Sequence, residues 1–312
     1  MCSSHNRTDS GPPGQPVHVP VLLKEVLHFL HLEPGLTVVD GTVGAAGHSR
    51  EIVRRIAPTG LLIGLDRDAL MLDIAARQLS GRSSHLVHAS YAELPQVLAR
   101  LAIPAVDRIL LDLGLSSDQL ADESRGFSFS STGPLDLRFD PTRGEPASAL
   151  LARLNEQELA EIFERYGEEP HSRRFARNLV AFRTRQPIRT GRDLAEALAG
   201  GERATRGRRH PHSRHPATRV FQALRIAVNN ELEQLETALH GGLYACLKPG
   251  GIVVIISFHS LEDRLVKQAF RESNSWQLLS PKPITASPAE QRFNPRSRSA
   301  RLRAAKKLPP PT

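Results

Sequence analysis

Residues 36–48 read LTVVDGTVGAAGH, an apolar, β-branched run that ends at Asp40 and continues into a turn of small residues. The run predicts a strand over 36–39, and residues 48–56 behind the turn predict a helix. Gly41, Gly44 and Gly47 let a ligand approach the backbone closely, and the N terminus of the helix offers free N–H groups. Their spacing, G-x-x-G-x-x-G, is not the G-x-G-x-x-G of a dinucleotide-binding turn. The stretch therefore predicts a strand–helix unit with a ligand-binding turn of another kind.

The same alternation continues along the chain. Strand-like runs alternate with helical segments over residues 61–65, 69–79, 85–88, 92–101 and 106–111. The most apolar run, 251–258, comes much later and follows a predicted turn, KPGG, at 248–251. Short strands alternating with helices are typical of a parallel sheet covered by helices on both faces. We therefore predict an α/β fold with a Rossmann-like, mostly parallel sheet.

A long interruption divides this pattern. Helical segments are predicted within it over residues 147–154, 156–166, 172–183 and 192–198, and an Arg- and His-rich loop over 200–216 closes it. An amphipathic helix follows, with apolar side chains at three- and four-residue steps from Val220 to Leu239. We expect a disordered leader over 1–16, a discontinuous sheet domain formed by 17–115 and 216–312, and a mostly helical insert over 116–215.

Aspartates close three of the predicted strands at one edge of the sheet, namely Asp40, Asp66 and Asp112. In an open α/β sheet, ligands bind at the carboxyl ends of the strands. Asp66 lies 19 residues after Gly47, where a carboxylate accepts both hydroxyls of a ribose. The alternative is that Asp66, like Asp68, only caps the following helix. Three carboxylates would repel a pyrophosphate and suit a ligand with hydroxyls and cationic groups, such as S-adenosylmethionine.

The composition excludes several classes of protein. The chain has 312 residues, 40% of them hydrophobic, so it can bury a sizeable core. Its longest apolar run is too short to cross a bilayer, and the first 16 residues lack the apolar run of a secretory signal. Two cysteines, Cys2 and Cys246, exclude a disulfide scaffold, and a cytoplasmic setting is the simplest interpretation. His210, His212 and His215 lie among arginines, so no metal site is predicted.

The net charge of +8 is concentrated in two blocks. Residues 171–225 hold 14 arginines against three acidic residues, and residues 291–308 hold seven basic residues and no acidic one. The remainder of the chain is acidic. Two basic blocks on an acidic body favour a surface that docks a polyanion, and a solvated arginine-rich face is the alternative.

Seven longer runs, in order along the chain, resemble one known family. They are DGTVGAAGHS (40–49), LLDLGLSSDQL (110–120), RGFSF (125–129), GPLDLRFDPTRG (133–144), HPATRVFQALRIAVNNEL (215–232), ISFHSLEDRLVK (256–267) and NPRSRSARLRAAKK (294–307). Together they are similar to the MraW/RsmH family. The resemblance implies a class I S-adenosylmethionine-dependent methyltransferase that methylates N4 of a cytosine in the decoding centre of 16S rRNA. The insert and the basic tail would then grip 16S rRNA within the small ribosomal subunit.

The resemblance also implies the cofactor contacts. They are Ala46, Gly47 and His48 in the glycine turn, Asp66 at the ribose, Tyr91 beside the adenine, and Asp112 and Gln119. The family turn usually reads DGT-F-G-x-G-GH, and this chain departs from it at Val43 and Ala46. If position 46 requires a positive φ, alanine costs about 1 kcal/mol there relative to glycine. We expect this variant to be tolerated, because the other contacts are present.

The catalytic candidates are Asp112 and His259. The N4 amine of cytosine is a poor nucleophile because its lone pair is delocalised into the ring, so an enzyme gains by orienting the amine with hydrogen-bond acceptors. Asp112 follows strand four and is alternatively a cofactor contact alone. His259 follows the most apolar strand, beside Phe258, which either stacks on a base or packs in the core. The RGFSF run (125–129) either exposes its aromatic rings to unpaired bases or buries them as a plug.

Two other functions fit parts of the pattern. A nicotinamide-dependent oxidoreductase would use a similar sheet, but the glycine spacing and the strand-end carboxylates argue against it. A non-catalytic rRNA-binding assembly factor on a methyltransferase fold is the second alternative, and only Val43 and Ala46 support it. The sequence leaves the oligomeric state open, with a dimer as one option.

Overall fold

The computed structural model describes residues 20–128, 130–200, 216–272 and 274–309. The strands of these residues are β1 (Thr37–Asp40), β2 (Leu61–Asp66), β3 (Ser84–His88), β4 (Val106–Asp112), β5 (Leu247–Ser257), β6 (Trp276–Leu278) and β7 (Arg301–Lys307). They form one sheet in the order β3-β2-β1-β4-β5-β7-β6. Strands β1 to β5 are parallel, and β7 pairs antiparallel with both β5 and β6. The predicted α/β fold with a mostly parallel sheet is confirmed.

Helices connect the strands and fill the interruption between β4 and β5. They are α1 (Leu23–Leu30), α2 (Gly47–Ile56), α3 (Ala69–Gln78), α4 (Leu94–Arg100), α5 (Ser117–Ala121), α6 (Ala147–Arg153), α7 (Glu156–Gly167), α8 (Ser172–Arg183), α9 (Gly191–Ala199), α10 (Pro216–Asn229), α11 (Glu231–Thr237), α12 (Leu243–Cys246), α13 (Ser260–Glu272) and α14 (Pro288–Phe293). None of these helices combines the length and the apolar character that a membrane span requires.

Three apolar clusters hold these elements together. One sheet face is covered by side chains such as Leu98, Leu235 and Phe270, and a second cluster on the sheet contains Val26 and Ile52. The third cluster belongs to α6–α10 and runs from Phe127 to Leu224. This helical cluster therefore continues past residue 215, where the sequence analysis ended the insert, because the first half of α10 packs on the preceding helices.

The helical region is fastened to the sheet by one buried arginine. Arg125 donates from Nη1 to Asp68 Oδ2 at 3.0 Å and from Nη2 to the carbonyl oxygens of Arg138 and Phe139. Asp68 also caps α3, since its side chain accepts from Leu70 N. The pair is almost fully removed from water, so losing either partner would leave an uncompensated buried charge. The start of the insert is thus tied to the end of β2.

The structure contradicts one local prediction and refines another. The amphipathic segment from Val220 to Leu239 is not one helix, because Asn230 adopts a left-handed conformation (φ 50°) that asparagine tolerates better than most residues. The break gives α11 its own direction. The KPGG run, predicted as a turn, interrupts the pairing of β5: Gly250 has φ 77°, and residues 248–251 lie between the partners of Val106 and Arg108.

Several predicted features lie outside the described residues. They are the leader over 1–16, the Arg- and His-rich loop from 201 to 215, and Phe129 of the RGFSF run.

Candidate active site

A pocket lies at the carboxyl ends of β1, β2 and β4. The chain passes from β1 to β2 and β3 on one side and returns to β4 on the other, so this edge is the topological switch point of the sheet. The pocket is lined by the glycine turn, by the strand-end residues Asp66 and Asp112, and by Tyr91, Glu231 and Glu262. The sequence analysis predicted a ligand site at this edge, and the described residues form one.

Asp40 holds the glycine turn in place and does not line the pocket. Its Oδ2 accepts a hydrogen bond from Ser49 Oγ at 2.6 Å, and its Oδ1 accepts from Thr42 N at 3.2 Å. Burial raises the pKa of this carboxyl, against the lowering effects of Ser49 and His48. Thr42 Oγ1 in turn accepts from Asp112 N at 2.7 Å, so the ends of β1 and β4 are joined through the turn.

Ala46 and Gly47 form the start of α2. Ala46 has φ 65°, so the positive φ considered for this position is present. Its methyl group is fully buried in the apolar cluster beneath the turn, and burying one methyl is worth about 0.8 kcal/mol, which offsets the strain. Ala46 itself does not line the pocket, whereas Gly47 does. No side chain caps α2, so the first N–H groups of the helix are open to an anionic ligand.

Asp66 faces the pocket from the end of β2. Its Oδ2 accepts from Gly44 N at 2.8 Å and its Oδ1 from Asp68 N at 2.9 Å, so each oxygen keeps a lone pair for a further donor. Burial raises the pKa of Asp66 to about 6, although both backbone hydrogen bonds oppose the shift. The cap of α3 is Asp68, so the helix-cap interpretation does not describe Asp66.

Tyr91 and Gln119 are both placed at the pocket, by different means. Tyr91 packs on the start of the glycine turn so closely that a Cβ at Gly41 would lie 3.0 Å from its own Cβ. Gln119 is buried, donates to Asp68 Oδ2 at 2.9 Å and accepts from Ser116 N at 2.9 Å. The amide of Gln119 is therefore oriented by the same aspartate that binds Arg125.

His48 and Asp112 form a buried pair. His48 Nε2 lies 2.9 Å from the carbonyl oxygen of Val21, and since a carbonyl only accepts, Nε2 carries a proton. The other ring nitrogen, Nδ1, faces Asp112 Oδ2 at 3.5 Å. Burial lowers the pKa of His48 and raises that of Asp112 to about 7, where Arg296 opposes the shift and Glu262 adds to it. The neutral imidazole thus offers its lone pair to a carboxyl group that titrates near neutrality.

Asp112 Oδ1 has no hydrogen-bond partner among the described residues although it is buried. A buried acceptor without a donor is costly, and in a pocket it indicates that a bound ligand supplies the donor. Arg296 lies at the same pocket, where its Nη1 donates to Ser117 Oγ at 2.8 Å. The pocket therefore offers free acceptors at Asp112 and Asp66, and open N–H donors at the start of α2.

His259, the second catalytic candidate, is not part of the pocket lining. Its ring is buried, its Nδ1 accepts from Glu262 N at 3.4 Å, and its Nε2 lies 3.1 Å from Glu262 Oε1. The carboxylate that reaches the pocket is Glu262, three residues further along. The catalytic role of His259 stays a prediction, and the structure places Glu262 rather than His259 at the pocket lining.

Glu231 and Glu262 are pocket residues that the sequence analysis missed. Glu231 is the first residue of α11 and Glu262 is in the first turn of α13. Acidic residues are common in first helical turns, because the helix dipole favours negative charge there. The positions of Glu231 and Glu262 in the sequence therefore indicated only helix starts. Only the pairing of α11 with α13 in the fold brings the two carboxylates to one pocket.

The aromatic residues proposed to stack on bases pack within the protein. Phe258 is half-buried against the apolar cluster, and a Cβ at Gly114 would lie 3.3 Å from its ring. Phe127 is buried in the helical cluster and stacks on Phe139 with ring centroids 5.9 Å apart. For both rings the packing alternative is the one the structure supports.

Comparison with known proteins places this site in a family. The family model described as the MraW methylase family matches residues 15–308. The ribosomal RNA small subunit methyltransferase H of Syntrophotalea carbinolica is 47% identical over 311 residues, which cover 93% of this chain and 98% of that protein. The protein of the same name from Thermomicrobium roseum is 45% identical over 317 residues, covering 95% of each chain. A match of this extent includes the glycine turn, both strand-end aspartates and the α13 segment, and the chain belongs to the MraW methylase family.

Proposed function

We propose that this protein is an S-adenosylmethionine-dependent methyltransferase that acts on the exocyclic N4 of a cytosine in the decoding centre of 16S rRNA. Its family membership and the names of its relatives support methyl transfer to small-subunit rRNA. The observation that carries the proposal is the set of free polar groups at the switch point. The uncapped start of α2, the Asp66 carboxylate and the unpartnered Asp112 Oδ1 line one pocket or its rim.

These groups fit the parts of S-adenosylmethionine. The open N–H groups at Gly47 and His48 suit its carboxylate, and the remaining lone pairs of Asp66 suit the ribose hydroxyls. Tyr91 and the apolar side chain of Leu113 offer a surface for the adenine. Gln119 lines the pocket, and its hydrogen bond to Asp68 orients the amide and leaves one N–H of Nε2 for the cofactor. In this proposal Ala46 contributes its backbone position alone, since its side chain points into the core.

The bound cofactor supplies an electrophilic methyl group on a sulfonium. Asp112 is the residue proposed to orient the incoming amine, because its free Oδ1 accepts a hydrogen bond and its carboxyl titrates near neutrality. Once the amine is alkylated it must lose a proton, and an ionised Asp112 accepts it. His48 Nδ1 lies 3.5 Å from the other oxygen of Asp112, and the ring is fixed by Val21. Its role is to hold the protonated carboxyl group, because an imidazole with its proton on Nε2 can only accept at Nδ1.

The helical insert and the basic tail are proposed to bind the rRNA within the small subunit. Arg173, Arg174 and Arg177 lie exposed along α8, and Arg292 and Arg298 are exposed at the tail. Exposed arginines of this kind suit phosphates and contribute affinity that falls with salt. The cytoplasmic location expected from the sequence is the natural setting for such a substrate.

The non-catalytic alternative loses its sequence support. Val43 is buried against Gly64, where a Cβ would lie 3.1 Å from it, and Ala46 packs beneath the same turn. Both substitutions thus fill the core under the turn; Ala46 stays off the pocket, and Val43 adds an apolar side chain to its lining. Thermal unfolding with S-adenosylmethionine and with NAD separates the candidates. We expect stabilisation by the first alone; stabilisation by NAD would favour the oxidoreductase, and none by either would favour the binding protein.

A further inference from the structure

Two carboxylates to which the proposed function assigns no part of the cofactor line the same pocket as Asp112. They are Glu231 and Glu262, brought together by the contact of α11 with α13. Leu235 of α11 lines the pocket beside them and belongs to the same apolar cluster of the sheet as Tyr91, whereas Val43 of the glycine turn packs in the other sheet cluster. The two glutamates therefore belong to the side of the pocket formed by α11, α13 and Tyr91.

Glu262 is held rigidly and kept ionised. Its Oε2 accepts from Phe258 N at 2.8 Å and from His259 N at 3.3 Å. Burial acts to raise its pKa, but the charge and hydrogen bond of His259, the charge of Arg225 and the backbone bond from Phe258 outweigh it, so the pKa is lowered. A fixed carboxylate of this kind is a preorganised acceptor for a donor in the pocket.

Glu231 is held by a two-point contact. Arg225 Nε donates to Glu231 Oε1 at 2.7 Å, and Arg225 Nη2 donates to Glu231 Oε2 at 2.8 Å. This fork fixes the carboxylate plane and uses one lone pair of each oxygen, which leaves the others for a ligand. The guanidinium stands directly behind the carboxylate and balances its charge.

One polar atom beside these glutamates, Asp112 Oδ1, is buried without a hydrogen-bond partner in the described parts of the chain. The His259 ring is 5% exposed, and ligand atoms of Glu231, His259 and Glu262 all lie within 4.8 Å of one another. A metal ion is one way to satisfy such a group. The Arg225 guanidinium, bound to Glu231 and close enough to lower the pKa of Glu262, opposes a second cation there.

An organic hydrogen-bond donor suits these carboxylates better than a metal ion does. An exocyclic amine presents two N–H donors, and carboxylates are the side chains that accept from the N4 amine of cytosine. Uracil presents a carbonyl oxygen at the same position, which two carboxylates would repel. We propose that Glu262 and Glu231 recognise the exocyclic amine of the target base and reject a carbonyl oxygen in its place. In this scheme Asp112 remains the proton acceptor, and His259 positions Glu262.

The inference rests on the proposed function, and base binding tests it apart from turnover. Short labelled oligo(C) and oligo(U) carry the same backbone charge, so the ratio of their affinities measures the contribution of the base alone. With saturating S-adenosylhomocysteine, wild type should bind oligo(C) about 5- to 100-fold more tightly than oligo(U). Glu262→Gln should bring the ratio close to one, lower kcat, and leave S-adenosylmethionine affinity unchanged. Glu236→Gln, an exposed change on α11, is the control and should leave the ratio as in wild type.

The outcomes are separable. A wild-type ratio near one would overturn the inference even if Glu262→Gln failed to fold, and so would a folded Glu262→Gln protein with a wild-type ratio. If Glu262→Gln weakens S-adenosylmethionine binding as much as it weakens oligo(C) binding, Glu262 is a cofactor contact instead. If wild type binds Mn²⁺ and Glu262→Gln does not, the carboxylates form a metal site instead. If wild type forms N4-methylcytidine while the ratio is insensitive to Glu262, only this inference fails. If wild type forms none, the proposed function fails first.

Discussion

Replacing Asp112 with asparagine should stabilise the free protein while it impairs turnover. Burial makes the ionised form of Asp112 unfavourable and raises the pKa of this carboxyl from 3.8 to about 7. Asparagine has nearly the same shape and no charge to bury. Its amide can donate to His48 Nδ1, which faces Asp112 Oδ2 at 3.5 Å in the wild type. The substitution therefore removes a desolvation cost without opening a cavity.

The sign and size of the effect follow from the pKa. Because the folded-state pKa lies above the unfolded value, the folded protein prefers the protonated form, and the cost of ionising Asp112 is absent below about pH 4. The cost grows as the pH rises toward 7 and is constant above it. A shift of this size corresponds to about 4 kcal/mol at most. The gain in the free energy of unfolding from Asp112→Asn should follow the same curve.

Denaturant unfolding of the free protein at several pH values between 4 and 8.5 measures this gain. Asp73→Asn, an exposed change on α3, is the matched control and should show no such dependence. At pH 8 the Asp112→Asn enzyme should be more stable than wild type and have a lower kcat at saturating S-adenosylmethionine. A destabilised variant at pH 8, or a gain that does not change with pH, would refute the reasoning. A raised cofactor KM with kcat untouched would make Asp112 a binding residue only.

Three further predictions concern the cofactor, the fold and the rRNA. Asp66→Ala should weaken S-adenosylmethionine binding by roughly 1.5–3 kcal/mol in a calorimetric titration, and unchanged affinity in a folded variant would contradict its ribose role. Arg125→Met should cost about 3–5 kcal/mol of unfolding free energy, because its aspartate partner stays buried and charged; a cost like that of an exposed α8 arginine would contradict this. Replacing Arg206, Arg208 and Arg209 with alanine should flatten the salt dependence of rRNA binding by up to about one unit for each phosphate that the protein no longer neutralises, whereas identical slopes would indicate a solvated face.

The sheet and its ligand edge could be predicted from local pattern. The inner parallel strands β1, β2, β4 and β5 contain apolar runs that are buried on both faces, and Asp40, Asp66 and Asp112 lie at the ends of three of them. The edge at which these residues meet is fixed by parallel pairing alone. The local pattern does not predict which way these side chains point: Asp40 accepts from Ser49 and holds the turn, while Asp66 and Asp112 line the pocket.

The second half of the site could not be predicted in this way. Glu231 and Glu262 belong to helices that are distant in the chain, and only their packing makes them neighbours. The left-handed Asn230, which sets the direction of α11, is one residue in a segment whose apolar periodicity continues past it. His259 was chosen for its side-chain chemistry, but a helical turn decides which residue reaches the pocket. Long-range contacts and single-residue turns of this kind leave little trace in local sequence.

The most direct test of the account is methyl transfer to its substrate. Labelled S-adenosylmethionine, the purified protein and small ribosomal subunits from a strain lacking the enzyme should yield labelled 16S rRNA. Nucleoside analysis of that rRNA should place the label in N4-methylcytidine, and Asp112→Asn should reduce it strongly. Label in a ring carbon or in ribose, or no label from a protein that binds the cofactor, would contradict the account.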